Sequence, residues 1–423
     1  MRIAAPLTLP CGVTLRDRVA KAPMTEGLAD RGDDATAALA ALYGRWAEPG
    51  AGLLVTGNVM VDRRYLERAG NVVVDARSDL AALRVWARDG SRSGTLLMAQ
   101  LSHPGRQCMR FHSTEPVAPS AVPLSIGGLF ARPRALEGHE IEALVDAFAA
   151  AAARLKEAGF GGVQVHAAHG YLISQFLSPR TNRRDDAWGG SLEGRARFLL
   201  TVVAAVRDAV GAAFPVAVKL NAADFLRGGF EHHEAVSVAR WLAEAGIDLL
   251  EVSGGTYERV AFVDEHARAE ASREREAYFL RYARDIKAAL GAVPLMLSGG
   301  FRTAAAMEAA LASGEVDVIG LGRPFCLVPD AAARLRSGDP QPLPAPERCL
   351  RIGPGMLGPG SPSRLVRSLN AQGATAWFYE QQYRLARGEA PSTRVPWAGA
   401  PLLRHLTREV TLATARRRRA SRA

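Results

Sequence analysis

The hydrophobic pattern of this chain alternates between short, uniformly apolar runs and longer segments with helical patterns. The apolar runs predict strands at Arg18–Met24, Gly52–Val61, Leu96–Leu101, Gly162–His166, Pro215–Asn221, Leu249–Ser253, Pro294–Ser298 and Asp317–Leu321. The longer segments predict helices near Ala35–Ala47, Glu140–Ala158, Ser191–Val210, His232–Ala245, Tyr278–Leu290 and Thr303–Ser313. Strands that are apolar throughout and separated by helices indicate a parallel sheet whose outer face is covered.

Eight such strand–helix units predict an α/β protein with a closed (β/α)8 TIM barrel, which commonly uses about 250 residues or more as one domain. A doubly wound open sheet is the alternative, but no G-x-G-x-x-G follows the first strand. The segment Leu101–Pro133 is too long for an ordinary connection, so we expect a functional loop after strand three.

We expect the barrel to occupy residues 1–340. A Pro- and Gly-rich stretch follows Pro340, and a helix is predicted at Ala371–Arg387, so residues 341–389 form an extension that packs back on the barrel. Residues 390–423 form an Arg-rich tail in which we expect little fixed structure beyond Glu389.

Polar residues cluster where the predicted strands end, which is the active face of barrels of this kind. His166, His169 and Tyr171 follow strand four within six residues, Gln100 lies at the end of strand three, and Lys219 lies near the end of strand five. Two imidazoles and a phenol packed together can polarise the oxygen of a small molecule and donate protons to it. Taken singly, each histidine could instead be a polar residue at a strand end.

Glycines and an arginine follow the last two strands, in Ser298-Gly299-Gly300 and in Gly320-Leu321-Gly322-Arg323. Backbone N–H groups that come close to a ligand, together with a guanidinium, fit a phosphate, and barrels often bind phosphate at this place. Gln100 could be a satisfied polar residue inside the barrel, and Lys219 could form a structural ion pair with an interior carboxylate. An amide and a cation near a phosphate site also suit a planar heterocycle that carries carbonyls and ring nitrogens.

Composition narrows the class of protein. The chain has 423 residues, of which 48% are hydrophobic and 23% charged, as in an ordinary soluble enzyme. No apolar run is long enough to cross a membrane, and the first residues lack the pattern of a secretory signal. Four widely spaced cysteines without a C-x-x-C pair argue against disulfides and metal clusters, and fit a cytoplasmic location.

The net charge of +10 raises the possibility of an anionic partner. However, part of this charge is the run Arg416 to Arg419, and the other arginines are scattered among acidic residues. We therefore expect neither a nucleic-acid partner nor a membrane partner.

Six motifs in order identify the chain, from about Leu7 to Arg387, as resembling the old yellow enzyme family of FMN-dependent ene-reductases. They are APMT at Ala22–Thr25, QLSHPGR at Gln100–Arg106, HAAHGYLISQFLSP at His166–Pro179, DDAWGGSLEGR at Asp185–Arg195, SGG at Ser298–Gly300 and LGRPF at Leu321–Phe325. The resemblance implies a flavoprotein oxidoreductase in which FMN lies across the mouth of the barrel. It also implies NADH or NADPH as a transient reductant and a small α,β-unsaturated carbonyl compound as substrate.

The resemblance also assigns roles to residues. His166 and His169 would hydrogen-bond the carbonyl oxygen of the substrate, and Tyr171 would be the proton donor. The residues that would contact the flavin are Ala22, Pro23, Met24, Thr25, Gly57, Gln100, Lys219, Gly300, Gly322 and Arg323. Because the family includes monomers, dimers and larger assemblies, homo-oligomerisation stays open.

Several positions depart from the family's common pattern. Lys219 stands where many members have arginine, and Gly27 falls where one branch has a substrate-contacting tyrosine, which implies a roomier pocket. Trp188 replaces a common tyrosine, which we interpret as a packing change. Cys349 alone cannot ligate a cluster, so the dienoyl-CoA reductase relatives fit poorly.

Other functions remain open at this point. A related FMN flavoenzyme could act as an NADH oxidase, a quinone reductase or an amine dehydrogenase, and a flavin-binding protein could have little turnover. A zinc site at His166 and His169 would need a third ligand, for which Asp185 or Asp186 could be proposed, but neither spacing is diagnostic.

Overall fold

Eight parallel strands form a closed barrel in the computed structural model, which describes residues 1–125, 128–253, 282–392 and 397–420. The barrel strands are β3 (Val19–Lys21), β4 (Leu53–Met60), β6 (Leu96–Ser102), β9 (Gly162–Ala167), β10 (Val216–Asn221), β11 (Leu249–Ser253), β12 (Leu295–Ser298) and β13 (Val318–Leu321). Short strands lie outside this ring: β1 (Leu7–Thr8), β2 (Thr14–Leu15), β5 (Val72–Val73), β7 (Val117–Ala118) and β8 (Arg134–Ala135).

The ring closes because β3 pairs with β13 on one side and with β4 on the other. All pairings between neighbouring barrel strands are parallel. The (β/α)8 prediction is therefore confirmed, and the open doubly wound sheet is wrong. Each of the eight predicted strands overlaps its observed counterpart, and the largest difference is at strand one, which is shorter than predicted.

Helices cover the outside of the barrel. They are α1 (Ala37–Ala47), α2 (Leu80–Gly90), α3 (Gly138–Glu157), α4 (Leu172–Leu177), α5 (Leu192–Val210), α6 (His232–Glu244), α7 (helical residues 282–290), α8 (Ala304–Ala312), α9 (Ala331–Arg336), α10 (Arg364–Ala386) and α11 (Gly399–Ala420). Side chains of Thr36, Asp79 and Ser191 accept hydrogen bonds from the first turns of α1, α2 and α5, which fixes where these helices begin. Residues 278–281 of the helix predicted at Tyr278–Leu290 lie outside the described residues.

The N-terminal hairpin closes one end of the barrel. Leu9 and Leu15 pack with interior side chains from the beginnings of several strands, among them Leu53, Leu249 and Val318. Because this end is filled with apolar side chains, polar chemistry is restricted to the opposite end, where the strands finish.

The C-terminal part of the chain forms two long helices, α10 and α11, that pack against each other and against the barrel. The prediction of little fixed structure beyond Glu389 is wrong for α11. Its charged side chains are not simply solvated, because Arg416 pairs with Asp33 at 3.1 Å and Arg408 donates to the carbonyl oxygen of Gly27 at 3.0 Å. The sequence alone does not show which buried acceptors the arginines of α11 reach, so their composition predicts a solvated tail. In the part of the chain that the structure describes, no helix has the length and hydropathy required to span a membrane.

Candidate active site

A chain of buried polar side chains crosses the inside of the barrel near the strand ends. Gln100 donates through Nε2 to Oε1 of Gln164 at 2.7 Å, and Gln164 donates through Nε2 to Glu251 at 2.9 Å. The other oxygen of Glu251 lies 2.7 Å from Nζ of Lys219. Strand register brings these residues together, since Gln100 lies opposite Gln164 and Lys219 lies opposite Glu251. The structural alternatives stated for these two residues therefore describe real contacts. Gln100 is a satisfied amide inside the barrel, and Lys219 forms an ion pair with an interior carboxylate.

The two histidines lie beside this chain. His166 is the penultimate residue of β9 and lies directly opposite Lys219, and its Nδ1 accepts a hydrogen bond from the backbone N–H of Ala168 at 3.2 Å. A neutral ring with Nδ1 as acceptor carries its proton on Nε2. His169 Nε2 lies 2.8 Å from Oγ of Ser253, and its ring is placed by a backbone with φ of +59°.

The ring of His166 contacts the rings of both other predicted catalytic residues. The ring centroid of His166 lies 5.2 Å from that of His169 and 4.8 Å from that of Tyr171, and both pairs meet edge to face. Tyr171 is 5% exposed and stands immediately before α4. The structure thus brings His166, His169 and Tyr171 into one cluster.

Burial keeps both imidazoles neutral. Burial is the largest cause that holds the pKa of His166 well below its ordinary value, followed by the nearby His169 and Lys219. Burial, followed by the charge of Lys219, lowers the pKa of His169 to about 3. Neutral rings have one N–H each, so each can donate one hydrogen bond without a net charge.

Thr25 is tied to a carboxylate that the sequence did not single out. Its hydroxyl donates to Oε2 of Glu67 at 3.1 Å, and the amide of Asn58 donates to the same oxygen at 3.3 Å. Burial raises the pKa of Glu67, but the adjacent Arg68 and these hydrogen bonds outweigh it, so the pKa of Glu67 is lowered overall. Glu67 is therefore a buried, ionised acceptor that orients Thr25.

The segment after β3 runs close to the end of β4. Ala22 donates its backbone N–H to the carbonyl of Leu321 at 2.9 Å, while Pro23 and Met24 are partly exposed beyond it. A Cβ on Gly57 would collide with the carbonyl of Met24 and lie 2.6 Å from Cα of Thr25. Gly57 is thus required by this close approach of two backbones.

The predicted phosphate end has unpaired donors. Oγ of Ser298 and Nε of Arg302 are buried and have no hydrogen-bond partner within the described residues. Gly300 has a φ of +79°, a conformation that L side chains rarely adopt. Such donors near a glycine-rich turn fit an anion such as a phosphate. Gly322 follows β13, directly before Arg323, whose guanidinium is 3.4 Å from Glu347; Glu347 also pairs with Arg302.

The space beside Gly27 is filled by the C-terminal extension. A Cβ on Gly27 would lie 3.3 Å from the hydroxyl of Tyr383 and 3.8 Å from Cε1 of Tyr379, both on α10. The absence of a side chain at position 27 therefore does not leave an empty region there, contrary to the roomier pocket that the resemblance implied.

Neither carboxylate offered for a zinc site forms a metal-binding group with the two histidines in the part of the chain that the structure describes. Asp186 pairs with Arg184, and the described residues contain no group of three or more His, Cys, Asp or Glu side chains that could hold a metal ion.

Several site residues were missed by sequence reasoning. Gln164 and Glu251 are polar residues inside otherwise apolar strands, which is a signal that could have identified them. Asn221, which accepts from the backbone N–H of His169 at 3.1 Å, and Ser253 end their strands at the same level. Glu67 has no comparable signal, because it follows no predicted strand.

Comparison with known proteins gives consistent matches. The model of the NADH:flavin oxidoreductase / NADH oxidase family matches residues 2–341. The NADH-dependent flavin oxidoreductase iliE of Hypocrea jecorina (strain QM6a) is 38% identical over 351 residues, which is 78% of this chain and 87% of that protein.

Two solved structures resemble the fold. The old yellow enzyme homologue from Zymomonas mobilis superposes with a TM-score of 0.67 and 28% identity, covering 80% of this chain and 94% of that one. A 2-naphthoyl-CoA reductase in complex with 2-naphthoyl-CoA gives a TM-score of 0.74 and 26% identity over 81% of this chain. This chain spans about half of that reductase, 53%.

Proposed function

The chain belongs to the NADH:flavin oxidoreductase / NADH oxidase family, and we propose that it reduces the C=C bond of α,β-unsaturated carbonyl compounds in a ping-pong reaction. It is thus an oxidoreductase that uses FMN with NAD(P)H as the reductant. The observation that carries the specific reaction is the cluster of two neutral imidazoles, buried His166 and partly buried His169, in which the phenol of Tyr171 meets His166 edge to face.

The chain offers a complete set of groups for the cofactor. We assign Ala22, Pro23, Met24, Thr25, Gly57, Gln100, Lys219, Gly300, Gly322 and Arg323 to its binding. Ser298 Oγ and Arg302 Nε, which have no hydrogen-bond partner among the described residues, would donate to its phosphate. FMN, when bound, supplies the chemistry that carries a hydride from NAD(P)H to Cβ of the acceptor.

His166 and His169 act on the carbonyl oxygen of the acceptor. Each neutral ring donates one N–H, and negative charge grows on that oxygen as the hydride reaches Cβ. Hydrogen bonds that strengthen as charge develops lower the barrier more than they tighten binding of the ground state. For His169 to donate through Nδ1, its Nε2 must accept from the hydroxyl of Ser253, 2.8 Å away.

Tyr171 completes the reduction by giving its phenolic proton to Cα. One hydride at Cβ and one proton at Cα saturate the double bond, and the phenol is reprotonated from solvent before the next cycle. The ring contact with His166 holds the phenol next to the group that binds the carbonyl.

Anaerobic stopped-flow spectroscopy tests this proposal. Purified holoenzyme is reduced with NADH or NADPH, and the flavin absorbance is followed while unsaturated ketones, aldehydes, nitroalkenes or imides are added. Rapid reoxidation by one class, with the saturated product found by mass spectrometry, supports the proposal. Reduced enzyme that no such compound reoxidises would overturn it.

NADH oxidase activity is the second candidate, because the family itself includes NADH oxidases. Reduced enzyme that reacts with oxygen or a quinone faster than with every unsaturated carbonyl compound would favour it. Reduced enzyme that none of these acceptors reoxidises would favour a flavin-binding protein with little turnover.

A further inference from the structure

A cavity lined by arginines lies between the segments that follow the third and fourth barrel strands, β6 and β9. It has a volume of about 120 Å³ and is lined by Arg106, Val122, Arg180, Thr181 and Arg183. None of these residues was assigned to the flavin or to the carbonyl group, so the cavity is not used by the reaction as described above.

A smaller cavity adjoins this one. It shares Arg106, Arg180 and Thr181 with it and is also lined by Gly170. Gly170 is the residue between His169 and Tyr171, so the smaller cavity reaches the backbone of the catalytic segment. We call the two cavities together the arginine groove.

At the outer end of the arginine groove, the arginines have no carboxylate partner among the described residues. Arg180 and Arg183 are exposed, and within the described residues neither forms an ion pair; Arg180 donates to the carbonyl oxygen of Arg227 at 3.0 Å. Neighbouring Arg184, by contrast, is paired with Asp186. At the inner end, the buried carboxylate Asp224 accepts from Asn221 and from the backbone of Phe230.

Barrel geometry separates this groove from the predicted flavin phosphate site. The groove is built from the loops that follow β6, β9 and β10, which are the third, fourth and fifth barrel strands. The phosphate turns follow β12 and β13, the seventh and eighth strands, which lie across the ring from the third and fourth. An anion bound in the arginine groove would therefore belong to a ligand other than the flavin.

We propose that the arginine groove binds the pyrophosphate of a nucleotide whose reactive end lies at His166 and His169. Two unpaired guanidiniums are suited to the charge-assisted, bidentate hydrogen bonds that phosphate oxygens accept. Such a ligand is the nicotinamide dinucleotide, or else a coenzyme A thioester with an unsaturated acyl group, since both carry a pyrophosphate. The inference rests on the proposed function, which places the reactive end of the ligand at His166 and His169.

The experiment compares Arg180→Gln/Arg183→Gln with Arg180→Lys/Arg183→Lys and with Arg240→Gln. Arg240 is an exposed arginine on α6, outside the groove, and serves as the matched control. Dissociation constants and limiting rates for NADH and NADPH come from the concentration dependence of anaerobic flavin reduction. Enzyme reduced with dithionite is then reoxidised by an enoyl-CoA thioester and by a cyclic enone without a phosphate.

We expect the Gln/Gln variant to weaken the pyrophosphate ligand about tenfold or more, with an unchanged limiting rate and an effect that shrinks in salt. A loss confined to NADH and NADPH identifies the reductant as the ligand, and a loss confined to the thioester identifies the substrate. The Lys/Lys variant retains part of the affinity. Constants for both ligands equal to those of Arg240→Gln would overturn the proposal. The cyclic enone has no phosphate that could bind the arginine groove, so its rate of reduction tests the proposed function separately.

Discussion

Nζ of Lys219 lies 2.7 Å from Oε1 of Glu251 on the adjacent strand, and the two side chains are 5% and 0% exposed. The sequence left open whether this cation would serve a flavin or form an ion pair with an interior carboxylate, and the structure shows the ion pair. The electrostatic field at the mouth of the barrel therefore comes from the oriented ion pair of Lys219 and Glu251 and not from a single positive charge. Gln164 donates a hydrogen bond to the second oxygen of Glu251, and this bond fixes the orientation of the carboxylate.

Removing one member of this pair is expected to cost much more than removing both. Lys219→Met leaves the Glu251 charge buried without its partner, and breaking a buried pair costs roughly 3–5 kcal/mol. Lys219→Met/Glu251→Gln removes both charges and is expected to recover most of that loss. Urea unfolding of the apoprotein measures the free energy of unfolding of the single and the double variant. A double variant as unstable as the single one would contradict the argument.

Tyr171→Phe is expected to separate the two halves of the reaction. The ring and its contact with His166 remain, so flavin reduction by NADH keeps its rate, while protonation of Cα loses its donor. General-acid catalysis contributes about 100-fold or more, so reoxidation by an enone falls by that factor. Rapid-mixing measurements of each half-reaction check this. Unchanged enone turnover with unchanged stereochemistry at Cα would show that Tyr171 is not the donor.

The barrel was predictable because each strand is buried on both faces, which leaves a continuous apolar signal in the sequence. Cross-strand partners were not, because the pairing of Lys219 with Glu251 depends on register between separate segments. Helix α11 was missed for a related reason. Its arginines look solvated until their acceptors, such as Asp33, are placed beside them by the fold.

The filling of the space at Gly27 by Tyr383 could not be predicted either, since 356 positions of chain separate the two residues and nothing local in either segment points to the other. The catalytic cluster was the easiest part to find. Its members lie within six residues, so local spacing alone keeps them together.

Acid sensitivity is expected from buried histidines. Burial lowers the pKa of His103 to about 4, against an ordinary value of 6.5, although the nearby Asp62 opposes this shift. Between these two pH values the unfolded chain binds more protons than the folded one, so the free energy of unfolding rises with pH. The stability is complete above about pH 6.5 and is lost as the pH falls toward 4, by at most about 1.4 kcal/mol per unit.

His103→Gln is expected to make this slope shallower. Its matched control is His139→Gln, since His139 is exposed at the start of α3. Urea unfolding at a series of pH values from 7 to 4.5 gives the three slopes. Equal slopes for wild type and His103→Gln would mean that this imidazole does not contribute to acid sensitivity.

Tyr383 is expected to limit the size of substrate beside Gly27. Its hydroxyl lies 3.3 Å from the position that a Cβ on Gly27 would take, two residues after Thr25. Tyr383→Ala removes a ring from this place, and differences in pocket filling are worth roughly 1–3 kcal/mol in discrimination. We therefore expect the ratio of kcat/KM for a bulky enone to that for a small enone to rise about tenfold or more. Tyr383→Phe keeps the ring and is expected to leave the ratio near that of the wild type. If all three proteins gave one ratio, the C-terminal extension would not shape the substrate pocket.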